Sequence, residues 1–106
     1  MSRVGFEFRI AHDHPSLAGH FPGRPIVPGV LLLDEVMTAV QRAGGRDVVR
    51  VQQARFLAAL LPGEVAHGWH EITGSKATFA VAVTRDGNSV QLAEGSLQLA
   101  PQEHAA

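Results

Sequence analysis

Cysteine is absent from the 106 residues. Its absence excludes disulfides, cysteine zinc sites and a cysteine nucleophile. An excess of either charge is missing too: nine Lys and Arg stand against ten Asp and Glu, for a net charge of -1. A strongly basic nucleic-acid binder is thereby disfavoured, and no nucleic-acid partner is expected. No apolar run approaches the roughly 20 residues that a membrane span needs. The opening MSRVGFEFRI also lacks the uninterrupted apolar stretch of a secretory leader, so a cytoplasmic chain with no membrane partner is expected. What remains is ordinary globular material, 45% hydrophobic and 18% charged. It amounts to one domain, expected over residues 1–100, with 101–106 as a flexible tail. A core this small seldom encloses an active site alone.

Phe6, Phe8 and Ile10 alternate with Glu7 and Arg9, the two-residue period of a strand. From Ala11 to Pro28 an irregular path is expected, because Pro22, Pro25 and Pro28 lack donors and Gly19 and Gly23 loosen the chain. Gly29 to Ala43 predicts a helix, opened by Pro28 and stopped by Gly44-Gly45. Strands are expected around Val49–Phe56, Val65–Ile72, Ala77–Thr84 and Ser89–Leu99. Turns fall at Leu61-Pro62-Gly63-Glu64 and Thr73-Gly74-Ser75, and a hairpin at Arg85-Asp86-Gly87-Asn88. Tight hairpins imply an antiparallel sheet, so the fold class is α+β with about five strands and one helix. Val30, Leu31, Leu32, Leu33, Val36, Met37 and Val40 cover most of that helix, more than one small sheet can bury. A second subunit is the expected remedy.

Chemistry concentrates between His14 and Val36. His20 lies in a Pro/Gly-rich loop, Gly29 at the helix N-terminus and Asp34 in the second helical turn. Free N–H groups at a helix start carry partial positive charge and stabilise an oxyanion. Imidazole, carboxyl and oxyanion donors together suffice for proton abstraction beside a carbonyl. Asp34 follows three leucines, and a carboxyl buried among them is expected to need a partner or a raised pKa.

The segment GHFPGRPIVPGVLLLDE closely resembles the active-site segment of the 3-hydroxyacyl-[acyl-carrier-protein] dehydratases, the FabA/FabZ-like family with the hot-dog fold. The His-Phe-Pro-Gly quartet, the Pro-Gly opening the helix and the acid one turn on match in order and spacing. Ala54-Arg55-Phe56 followed by Pro62-Gly63-Glu64 resembles the strand after that family's helix. The resemblance implies a hot-dog dimer, an antiparallel sheet wrapped around one central helix. It implies His20 and Asp34 as catalytic histidine and acid, contributed by different subunits. It implies an oxyanion or substrate site at Gly29, with Pro28, Val30 and Phe21 around it. The implied reaction turns 3-hydroxyacyl thioesters into trans-2-enoyl thioesters, in fatty acid or specialised polyene- or polyketide-like synthesis, with neither metal nor organic cofactor. The implied partners are an acyl carrier protein or coenzyme A thioester and a second hot-dog subunit, identical or different. Asp34 stands where the common dehydratases have Glu and where the isomerising branch has Asp. The sequence starts close to its first strand, so an altered acyl-tunnel wall is expected. A hot-dog thioesterase, using an acid and water, and a subunit completing a different partner's site are the alternatives.

Elsewhere, Glu35 sits about 100° around the helix from Asp34 and is expected at its polar edge. His12, His14 and His20 lack the further ligands of a usual zinc site. His67 and His70 should face opposite sides of a strand, and Trp69 should pack. Arg24, Arg42, Arg46, Arg50 and Arg55 are candidates for meeting an acidic carrier protein.

Overall fold

The computed structural model describes residues 3–17 and 26–101. Among these residues, five strands and one α-helix follow in the order β1 (Val4–Arg9), α1 (Gly29–Gly44), β2 (Val48–Phe56), β3 (Val65–Thr73), β4 (Lys76–Arg85) and β5 (Asn88–Leu99). All ladders are antiparallel, and the sheet order is β1-β3-β4-β5-β2. The consecutive strands β3, β4 and β5 form a meander. β1 and β2, which flank the helix in sequence, close opposite edges. This is the hot-dog fold.

Local chemistry accounts for each boundary. Pro28, with φ -58° and ψ 143°, is the extended residue from which α1 starts. Gly45 adopts the left-handed conformation at φ 67°, and its N–H donates to the Gln41 carbonyl at 2.9 Å, which ends the helix. Between β4 and β5, Asp86 (φ 50°) and Gly87 (φ 78°) are both left-handed. That pair is the type I′ turn whose twist matches two strands. One expectation needs correction: the stretch from Ala11 to Pro28 is not wholly irregular. Pro15–Leu17 forms a 3-10 turn, in which the Leu17 N–H donates to the His14 carbonyl at 2.9 Å. Proline is tolerated in a first helical turn, where its missing donor has no partner to lose.

The core lies between α1 and one face of the sheet. Leu32, Val36 and Val40 descend from the helix onto Phe79, Val81, Leu97 and Leu99. Their spacing of four keeps them on one face. On β3, Ala66 and His70 share the inner face, while His67 turns outward to Thr84 (3.4 Å). The odd separation does place the two histidines on opposite sides. Trp69 packs under the Arg3 guanidinium, 3.8 Å from the ring centre. Arg46 donates to the carbonyls of Gly74 and Ala100, and Arg55 pairs with Glu94, so the fold already engages both.

His70 is 1% exposed, stacks on Phe6 and has no hydrogen-bond partner for either ring nitrogen among the described residues. Burial alone pushes its pKa below the ordinary value of 6.5. The neutral ring therefore belongs to the folded state, and the unfolded chain binds the extra proton. Stability from this residue is present above about pH 6.5 and drains away as pH falls from there towards the depressed folded value. Melting followed by circular dichroism should show Tm falling between pH 7 and pH 5, with a flatter slope in His70→Leu. An unchanged slope in that variant refutes the assignment.

Candidate functional site

The start of α1 is open. Pro28 supplies no side-chain cap, and its carbonyl accepts the N–H groups of Leu31 (3.0 Å) and Leu32 (3.4 Å). The amides of Gly29 and Val30 precede the helical ladder and meet no acceptor among the described residues. Beside them lies a groove of about 450 Å³, with Val27, Gly29 and Leu32 on one wall and Phe56, Leu57 and Leu60 on the other. Phe56 packs directly over Gly29. A Cβ there would stand 2.9 Å from the ring, so the absent side chain is what lets ring and helix start approach.

The Asp34 carboxyl is exposed, contrary to the expected burial among leucines. The cause is helical phase: Asp34 lies about 200° from both Leu32 and Val36, on the opposite face. Val30, one turn earlier, shares that outward strip and is 71% exposed. Thr38, one turn later, donates to the Asp34 carbonyl oxygen at 2.9 Å. Thus Gly29 and Asp34 belong to one helix end but point differently: Gly29 borders the apolar groove, and Asp34 looks away from its own sheet. His20 and Phe21, the other residues implied in the site, lie outside the described residues. Glu35 is half-buried at the rim of a second groove, between α1 and β1 near His70. Among the described residues, no three His, Asp or Glu side chains gather as a metal site.

The groove wall beyond α1 was not legible in the sequence. Leu57 to Leu60 is an apolar run without strand period, and only its position in space shows that it faces Gly29. The network that holds it, formed by Glu64 and Arg85, has no sequence signal, because one member precedes β3 and the other ends β4.

The family described as ApeI-like, ApeI dehydratase, matches residues 1–96. The chain is 34% identical over 74 residues to the 3-hydroxyacyl-[acyl-carrier-protein] dehydratase FabZ of Xanthomonas oryzae pv. oryzae, covering 59% of this chain and 48% of that protein. The FabZ of Xanthomonas euvesicatoria pv. vesicatoria is 38% identical over 69 residues, covering 53% and 44%. The chain spans about half the length of the curated relatives it matches. Its fold is similar to an uncharacterized protein of Erwinia carotovora subsp. atroseptica, with a TM-score of 0.80 at 24% identity, over 93% of this chain and 83% of that one. The dehydratase heterocomplex ApeI:P of Xenorhabdus doucetiae gives 0.77 at 22% identity, over 92% and 86%. A variant of the fluoroacetyl-CoA-specific thioesterase FlK gives 0.58 at 14% identity, over 93% and 90%.

Proposed function

The chain belongs to the ApeI-like dehydratase family, and on that footing we propose that it removes water from 3-hydroxyacyl thioesters to give trans-2-enoyl thioesters. The observation that carries this reading is the helix start, whose Gly29 and Val30 amides meet no acceptor among the described residues and border an apolar groove. A thioester carbonyl seated there would accept from the Gly29 N–H, and the helix dipole would favour the enolate that develops on its oxygen. His20 would take the proton from C2. Asp34 would give its proton to the departing C3 hydroxyl, which leaves as water while the C2–C3 double bond forms. The reverse sequence hydrates the enoyl thioester. The apolar groove suits the acyl part, and an acyl carrier protein or coenzyme A would deliver the thioester. The preference between these carriers is itself part of the proposal.

The outward aim of Asp34 supports a site shared between subunits. Val30 and Asp34 face away from their own sheet, and the free edge of β2 exposes Val49 and Val51. An apolar, unpaired edge of this kind is one that native proteins cover. A second copy of the chain is the preferred cover, with Asp34 of one protomer working beside His20 of the other. The second reading is a different hot-dog subunit in that place. The solved ApeI:P fold is such a heterocomplex, described as a dehydratase.

The deciding experiment incubates the purified chain with a short 3-hydroxyacyl thioester and with its enoyl counterpart. Ultraviolet absorbance follows the conjugated double bond, and a thiol reagent runs in parallel. Interconversion without thiol release supports dehydration, whereas thiol release supports the thioesterase alternative. A folded, inactive monomer that gains activity only with a second hot-dog subunit supports the heteromeric reading.

A further inference from the structure

The helix start that borders the groove is held from outside the helix. The Val27 N–H, two residues before Gly29, donates to the Leu60 carbonyl at 2.8 Å. Leu60 is buried in the connection between β2 and β3. Both of its neighbours are tied to one ion pair. Arg85, the last residue of β4, forks onto Glu64: Nε donates to Oε2 at 2.7 Å and Nη2 to Oε1 at 2.6 Å. The same Nη2 donates to the Ala59 carbonyl at 2.6 Å. Glu64 Oε1 also accepts the Leu61 N–H at 2.8 Å. The residues before and after Leu60 are therefore both fixed by the pair, and the Leu60 carbonyl between them holds Val27.

We propose that Arg85 and Glu64 are positioning residues, which set the Leu60 carbonyl and through it the Val27–Gly29 segment whose amide meets the substrate carbonyl. Exposed ion pairs commonly contribute little. This one is only partly exposed, is bidentate and shares its donors and acceptors with two backbone groups, which gives it direction as well as charge. The Arg85 guanidinium holds the Glu64 carboxyl below the usual carboxylate value, so the pair persists through neutral pH and weakens only in acid, below about pH 4.5. Lysine keeps the charge but not the fork, so Arg85→Lys separates the two contributions. The expected loss of turnover rests on the dehydratase reading; the expected change at the Val27 amide does not.

The test uses the full chain with Arg85→Gln, Arg85→Lys and Glu64→Gln, following amide hydrogen exchange by NMR and steady-state turnover of a 3-hydroxyacyl thioester. In Arg85→Gln, exchange of the Val27 amide should rise at least about tenfold while the β4 and β5 amides keep their protection. The turnover number should fall about tenfold or more with KM nearly unchanged, because the displaced amide serves the transition state. Arg85→Lys should recover part of the loss. Unchanged Val27 protection overturns the proposal, as does exchange that rises equally in β4 and β5, or a loosened Val27 with wild-type turnover. If the wild-type chain turns over no 3-hydroxyacyl or enoyl thioester, the dehydratase reading fails while the Val27 measurement still decides the clamp.

Discussion

Asp34→Asn should lower dehydration by about a thousandfold while leaving the melting temperature close to wild type. The combination follows from where the residue sits. Its carboxyl projects away from the core, and no side-chain hydrogen bond or ion pair ties it to the other described residues. Amide for carboxyl therefore removes no packing and unsatisfies no buried group. On the proposed mechanism it removes the proton that the C3 hydroxyl takes on departure, since an amide does not give one up. Asp34→Glu is the informative companion. It keeps the acid on a longer arm, matching the common dehydratases, and should retain more activity than Asn. A stable Asp34→Asn protein with near wild-type turnover would remove Asp34 from the mechanism. An equally inactive but unfolded one would contradict the exposure described above.

The largest loss of stability should come from Phe79→Ala. Phe79 is 2% exposed on the central strand β4, opposite His70 on one side and Gly95 on the other. Gly95 offers no side chain to relax into the space, and an added Cβ there would run into the Gln53 carbonyl, so β5 is already pressed against β2. A cavity at position 79 therefore collapses poorly. Large-to-small changes of an aromatic at such sites cost about 3–5 kcal/mol. For a domain of this size that is a fall in Tm on the order of 15–30 °C. Urea unfolding at fixed protein concentration measures it, since any assembly adds its own contribution. A loss under about 1 kcal/mol would show that the β4 core is more plastic than its burial indicates.

Much of the fold could be read before the structure, because its signals are local. Gly44-Gly45 stops the helix by offering a left-handed residue, and Asp86-Gly87 demands a hairpin by offering two. Ala77, Phe79, Val81 and Val83 alternate with polar or small neighbours and form β4, extended by one residue at each end. The site was legible in part. The Pro-Gly at the helix start marked the open amides, whereas the surroundings of Asp34 misled. Three leucines precede it in sequence, yet a helix turns about 100° per residue, so adjacency in the chain carried the carboxyl to the far side. The 3-10 turn at Pro15–Leu17 has no distinct sequence signal, because proline marks a break and a first turn equally. Arg85 and Glu64 were invisible for a different reason. Their meeting depends on β3 and β4 being neighbours, and no spacing within either strand reports it.

The strand order carries a consequence for how the molecule assembles. β3, β4 and β5 are consecutive and joined by tight turns, so their pairings close short loops at small entropic cost. β1 must reach β3 across the whole length of α1 and β2, and β2 must reach β5 across the other two strands. Such distant pairings are slow to form. The β3–β5 meander should thus make an early scaffold, and β1, α1 and β2 should settle on it later. Pulse-labelled hydrogen exchange during refolding should protect β4 and β5 before β1. The half of the chain that holds Gly29 and Asp34 would then be the last to become ordered, and a newly made chain would complete its scaffold before it could present its chemistry.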